Sequence, residues 1–230
     1  MKTTTITYGN LGTNGVLTSG DAFDCDVNGD GVYDSTTERF YYVSDMTNGV
    51  TQDSNTAVLI YYNNVSEGIA SNSTAYAYGS NGNGNAYTNG PETAIKQLPT
   101  TSQWKNVSLI NATRNITDEK NTVRKSAFSY DGYAARLLTV QEVSAGCGLT
   151  VGGFTRGELS SKCKYLMEST TYSSSSLKTY GEWLESPDAS DSISAWYVNA
   201  RNRYVSDGAV NRPGTGVRPA IEVLKSNISY

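Results

Sequence analysis

Apolar residues come in short bursts separated by long polar stretches. Residues 1–23 read as an irregular or strand-bearing lead-in. Arg39-Phe40-Tyr41-Tyr42-Val43 predicts a strand, and Ala57-Val58-Leu59-Ile60-Tyr61-Tyr62 a second, more buried one. Residues 63–91 predict a loop, because Asn, Ser, Gly and Tyr dominate and the run Ser80 to Asn85 has nothing to pack. Pro91 to Leu98 predicts a short helix with Pro at its first position and Pro99 as its stop. Thr100 to Leu109 predicts another, with Trp104 inward, and 110–131 is polar again. The clearest helical pattern is Tyr133 to Val143, with Ala134, Leu137, Leu138, Val140 and Val143 on its apolar side and Gly146 beyond its end. Leu159 to Met167 predicts its partner helix, and Ser173 to Ser176 a loop. After that the text turns to short strands: Glu182 to Glu185, Ala195 to Asn199, Arg203 to Ser206 and Val217 to Leu224. There is no internal repeat and no linker. The expectation is one α+β domain over 1–230, two helices packed on a small, mostly antiparallel sheet with long loops.

Composition refines this. In 230 residues there are 27 Ser, 26 Thr and 20 Asn, with 17 Tyr against 4 Phe, and only 17% charged residues. Such a surface works by hydrogen bonds rather than ion pairs. Aromatics at 10%, with Trp104, Trp183 and Trp196 spread along the chain, argue against disorder. The net charge of −4 argues against a nucleic-acid footprint. No stretch approaches the ~20 apolar residues of a membrane span. The opening MKTTTITYGN has one Lys and no apolar core, so no secretory leader is legible, and a virus particle or a cell surface is the expected location.

The chain contains no histidine. That removes Ser-His-Asp and Cys-His catalysis and the HExxH zinc motif. Of the three cysteines, Cys147 and Cys163 either close a short loop as a disulfide or are buried thiols; Cys25 stands outside that pair. No CxxC spacing suggests zinc. No carboxylate pair stands out as acid and base, so the chain reads as no enzyme; a carboxylate hydrolase is the weakest alternative. Six N-x-S/T sequons, at Asn64, Asn72, Asn106, Asn111, Asn115 and Asn227, fit chance in a chain this rich in Asn, Ser and Thr.

The sharpest local motif is an acidic turn. Asp26, Asn28, Asp30 and Asp34 fall at positions 1, 3, 5 and 9, with Gly31 at position 6, the front half of a calcium loop. Position 12 is Thr37, and Glu38 comes one residue late. No cofactor is required by this reading. A calcium-stabilised turn on Asp26, Asn28, Asp30 and Asp34 stands beside an Asx turn held by its own side chains.

The carboxy-terminal text is the most suggestive for binding. Between core-forming Val198, Val205, Val217 and Ile221 sit aromatic, Arg, Asn and Ser residues, the mixture that recognition surfaces favour. The candidate ligand-binding set is Glu185, Trp196, Tyr197, Asn199, Arg201, Arg203, Tyr204, Asn211, Arg212 and Thr215. Trp196, Tyr197, Asn199, Arg201, Arg203, Tyr204, Asn211 and Arg212 are expected to face outward.

Trp183-Leu184-Glu185-Ser186-Pro187, then Ala195-Trp196-Tyr197-Val198-Asn199, then Gly216-Val217-Arg218-Pro219 form an ordered series. Upstream lie Tyr133-Ala134-Ala135-Arg136-Leu137-Leu138-Thr139-Val140-Gln141-Glu142, Asp30 to Asp34 and Glu38 to Tyr42. Together these resemble the formylglycine-generating-enzyme type of C-type lectin fold, over most of 24–224. The same fold carries the variable proteins of diversity-generating retroelements. There, adenine-directed mutagenesis rewrites codons near the carboxy terminus toward Asn, Tyr, Ser, Asp, Gly, Arg and Thr. The resemblance implies a ligand-binding protein whose display region is 183–216, directed at an unknown protein or glycan on a target surface, with no nucleic acid and no membrane insertion. A structural or adhesin component of a cell surface or virus particle is the alternative. No cysteine follows Cys163, so the oxidase branch does not carry over, and no E-P-N or Q-P-D sugar motif is present.

Overall fold

The computed structural model describes residues 5–7, 16–47, 52–66, 91–150, 159, 161–167, 181–200, 203–211 and 214–228. In chain order the elements are β1 (Thr5–Thr7), β2 (Ala22–Cys25), β3 (Arg39–Thr47), β4 (Gln52–Tyr61), α1 (Pro91–Ile95), β5 (Thr113–Thr117), β6 (Val123–Ser129), α2 (Val140–Cys147), β7 (Glu182–Pro187), β8 (Ser194–Asn199), β9 (Tyr204–Ala209) and β10 (Ala220–Leu224). A 3-10 helix, Ser161–Leu166, follows α2.

Ala57-Val58-Leu59-Ile60 is apolar at every position because β4 is buried on both faces. It lies between β3 and β10 in a five-stranded antiparallel sheet of order β1-β2-β3-β4-β10. Val58 and Ile60 point to a core shared with Val43, Leu138, Val143 and Ala220. Ala57 and Leu59 point the other way, to Phe40, Tyr42, Ala134 and Ile221. Each such aliphatic side chain contributes about 1.5–3 kcal/mol by leaving water. A second ladder pairs β5 with β6, and a third runs β7-β8-β9, also antiparallel. The α+β class holds, with more sheet and less helix than the pattern predicted.

The helix predicted over 133–143 is the main correction. Arg136 exchanges backbone hydrogen bonds with Ala220 at 2.9 and 2.8 Å, so this segment is extended. Leu137 and Leu138 enter two different cores, as neighbours on a strand do and neighbours on one helix face do not. The helix starts only at Val140, where Thr139 caps it: its hydroxyl accepts from the Glu142 amide at 3.1 Å and Glu142 accepts from the Thr139 amide at 3.0 Å. Gly148 closes it in the left-handed region at φ 68°. Gly146 lies so close to β3 that a Cβ there would sit 2.4 Å from the Val43 carbonyl oxygen, which lets α2 press onto the sheet.

The other corrections are local. Residues 100–109 form turns rather than a helix, with Trp104 packed on Phe40 and Tyr61 at ring distances of 5.6 and 5.3 Å. The polar stretch 110–131 holds the β5–β6 hairpin, anchored by buried Ile116. The segment expected as a helix at 159–167 is the 3-10 helix, kinked at Cys163, which is disulfide-bonded to Cys147. Residues 67–90 of the predicted long loop, and Ser173 to Ser176, lie outside the described residues. Among the described residues no helix is long and apolar enough to cross a membrane.

Candidate ligand-binding surface

Residues 182–216 contain β7, β8 and β9, and burial differs sharply from strand to strand. Every residue of β7 and β8 is buried. The reason is alternation between two cores. Leu184, Trp196 and Val198 enter the core beneath α2 and β4. Trp183, Ala195 and Tyr197 enter another, with Ala94 and Ile95 of α1 and with Ile116 and Leu137. The β7–β8 ladder is therefore a wall between two hydrophobic clusters, with Trp183 and Tyr197 meeting edge-on at 5.9 Å.

This burial corrects the outward orientation expected for Trp196, Tyr197 and Asn199. Trp196 donates its indole N–H to Glu119 at 3.0 Å, and Asn199 donates to the Tyr197 hydroxyl at 3.1 Å. Apolar packing on both faces wins because Trp196-Tyr197-Val198 is a continuous run, and such a run marks a doubly covered strand. Glu185 and Thr215 are buried too. Arg201 and Arg212 lie outside the described residues. Arg203 is exposed, and Tyr204 and Asn211 are half-buried. Asp207, which the sequence reading left out of the set, is half-buried on the same strand, opposite Trp196.

The geometry thus brings the accessible candidates to β9 and its two ends. Among the described strands β9 pairs only with β8. At one end, the turn from β8 delivers Arg203 with φ 56°, in the left-handed region, and Tyr204 opposite Asn199. At the other, Asn211 follows the Val210 amide, which donates to the Ile193 carbonyl at 2.8 Å. Ile193 is 43% exposed, so this end offers an apolar side chain beside an amide. Tyrosine, arginine, aspartate and asparagine supply stacking area and both signs of hydrogen bond, with no nucleophile–base pair among them.

Behind β7 lies a buried ionic cluster. Arg136 bridges Glu142, at 2.9 and 2.6 Å, and Glu222, at 2.6 Å. Arg114 lies 3.1 Å from Glu185 and 3.3 Å from Glu222, and the Tyr130 hydroxyl donates to Glu185 at 2.7 Å. Burial pushes the Glu185 carboxyl above its usual range against the pull of Arg114 and Arg136. Burial acts on Glu222 the same way, but Arg136 and Arg114 outweigh it and hold that carboxyl low. Glu185 is therefore a structural anchor of β7. No sequence signal flagged the cluster, apart from the T-x-x-E pattern that fixes Glu142.

In the acidic turn, Asp26 accepts from the amides of Gly29, Asp30 and Gly31 at 2.8, 3.1 and 3.1 Å, and from the Asn106 side chain at 3.1 Å. Asn28 accepts from the Asp30 amide, Asp30 from the Val32 amide, and Asp34 from Thr36 and Thr37. Glu38, which the spacing put out of register, closes the turn from beneath by accepting from the amides of Val27, Asn28 and Asp34. Among the described residues no three His, Cys, Asp or Glu side chains come together as a metal-holding group. Comparison with protein-family models, curated proteins and solved structures returns no match for this chain.

Proposed function

We propose that the protein is a non-enzymatic ligand-binding module, a C-type lectin scaffold of the kind diversified by retroelements, exposed on a virus particle or cell surface. The observation that carries the reading is the division of labour across one small sheet. Strands β7 and β8 are locked between two cores. Strand β9 and its ends offer Arg203, Tyr204, Asp207 and Asn211 to solvent in whole or part. A recognition surface that must tolerate change is best built this way, because exposed substitutions away from core and caps shift stability by only about 0.5 kcal/mol. The display set is accordingly narrower than 183–216: Arg203, Tyr204, Asp207 and Asn211, with Arg201 and Arg212 from the adjoining sequence. Its ligand is a protein or glycan on a target surface.

The test is to sequence the encoding locus and its relatives within one population. Substitutions at adenine-bearing codons confined to 201–212, with a near-identical template and a reverse transcriptase nearby, support the reading. Variation concentrated at the codons of Trp196, Tyr197 and Glu185 overturns this division, since those side chains are core. A uniform locus with no template removes diversification and leaves a fixed adhesin or structural component.

A further inference from the structure

A strip of chain from Gly214 to Pro219 stitches the β7–β9 sheet to the five-stranded sheet. On one side the Trp183 amide donates to the Gly216 carbonyl at 3.0 Å, and the Gly216 amide donates to the Gly181 carbonyl at 2.9 Å. On the other, the Val65 amide donates to Val217 at 2.7 Å, Val217 donates to Ser66 at 3.0 Å, and Tyr61 donates to Pro219 at 2.8 Å. Gly216 leaves room for the Asn64 side chain, whose Nδ2 would lie 2.3 Å from a Cβ there.

Two charged side chains are buried in this seam. Arg218 is committed to three backbone carbonyls: Tyr61 at 2.6 Å, Tyr62 at 3.2 Å and Tyr165, on the disulfide-held 3-10 helix, at 2.9 Å. Those three donations satisfy most of the guanidinium. What remains for Glu182 on β7 is a single long contact, 3.4 Å from Nη1 to Oε1. The second carboxylate oxygen of Glu182 has no hydrogen-bond partner among the described residues, and neither does the Thr215 hydroxyl on the same strip. The titratable and charged groups facing Glu182 there are Arg218 and the Tyr165 phenol, which burial holds neutral and which is bonded to Ser19 at 2.7 Å. An ionised carboxylate with one weak contact costs more in a dry site than a neutral acid does.

We infer that Glu182, buried beside Arg218, acts as an acid-stabilised latch on this seam: the β7–β9 sheet is held to the five-stranded sheet more firmly when Glu182 is protonated, because the desolvation of its ionised form costs more than the long Arg218 contact returns. Burial, opposed by Arg218, raises the carboxyl from 4.5 to about 7, so the switch falls near neutrality. The folded value lies above the unfolded one. The stabilisation is therefore complete below pH 4.5, is lost as pH rises toward about 7, and is gone above it. The effect of this one group on the folding equilibrium is on the order of a hundredfold across that window.

Thermal melts of the full chain and of Glu182→Gln, from about pH 5 to about pH 8, test this. The expected result is a gap that opens with pH: similar melting temperatures in acid, and the Gln variant more stable in mild alkali. Thr215→Val, which removes a hydroxyl without a hydrogen-bond partner among the described residues, is expected to keep the wild-type pH profile. A gap between wild type and Glu182→Gln that stays constant with pH overturns the latch. If the Gln variant does not fold, carbon-13 carboxyl titration of the wild type decides. A Glu carboxyl titrating near neutrality, with the Trp183 and Val217 amide signals shifting in step, supports the latch. Absence of any such coupled titration overturns it.

Discussion

The guanidinium of Arg136 sits in the fork of Glu142, with Nη1 and Nη2 at 2.9 and 2.6 Å from its two oxygens, and neither side chain touches solvent. The pair ties α2 to the extended segment before it, and Glu222 ties both to β10 through 2.6 Å to Nε. Burial disfavours the charge on Arg136, but Glu142 and Glu222 outweigh it and keep it charged at every accessible pH. Arg136→Met takes the Arg136 cation from buried Glu142 and leaves Glu222 with Arg114 alone, and an expected loss of about 3–5 kcal/mol follows. Urea denaturation of the variant measures it; a change below about 1 kcal/mol would show that the cluster relaxes into contact with water.

The disulfide between Cys147 and Cys163 joins the end of α2 to the 3-10 helix over a separation of 16 residues. Cross-linking a loop of that size lowers the entropy of the unfolded chain by the equivalent of about 3 kcal/mol. Reduction is expected to lower the melting temperature without unfolding the chain at room temperature. Melts with and without dithiothreitol, read beside thiol counts by mass spectrometry, check this. A chain that carries three alkylatable thiols when freshly isolated would contradict the bond.

Surface and wall are expected to separate cleanly under mutation. The double variant Arg203→Asn/Asn211→Ser replaces accessible side chains, and Asn adopts the left-handed backbone of position 203 more readily than Arg. It is expected to stay within about 0.5 kcal/mol per site of wild type. Trp196→Ala opens a hole beneath α2 and removes one of the donors to Glu119, and is expected to cost about 3–5 kcal/mol. Equal losses for both would mean that the β9 end is core.

For the acidic turn, the four hydrogen bonds accepted by Asp26 predict that Asp26→Ala loses about 1–3 kcal/mol. Because those bonds close the turn by themselves, chelation by EDTA is expected to leave the melting temperature where it was. A saturable rise with added calcium, absent in Asp26→Ala, would assign the turn to the ion.

Several features were legible in the sequence. The strands at 39–43 and 57–62, the Pro-led α1 and the four late strands all read from apolar bursts bounded by turn residues. The 133–143 segment misled because Ala134, Leu137, Leu138 and Val140 satisfy helical spacing. Yet consecutive Leu137 and Leu138 serve two cores, which a strand between sheets also permits. The capping box at Thr139 and Glu142 marked the true start. The β5–β6 hairpin escaped because β6 is exposed along nearly its whole length and has no alternation to read. Within 183–216, composition pointed to ten side chains, of which Trp196, Tyr197, Asn199, Glu185 and Thr215 are buried. Tyr and Trp serve equally well in a core and on a recognition surface, and only the second layer of packing, supplied by residues far away in sequence, decides between them.

The pairing of β10 with β4, Ala220 beside Ile60, sets a condition on how the chain reaches its native form. Until the last strand arrives, the most apolar strand of the central sheet has an open edge. A ribosome must deliver the chain through β10 before the seam can shut. Such distant pairing slows folding, and a chain interrupted before position 220 would bare the β4 edge to other chains. Frameshifts upstream of β10 therefore do more than alter the sequence that follows them: they also leave that edge uncovered. Substitutions that keep the reading frame leave the β4–β10 pairing available, and this topology tolerates them for that reason.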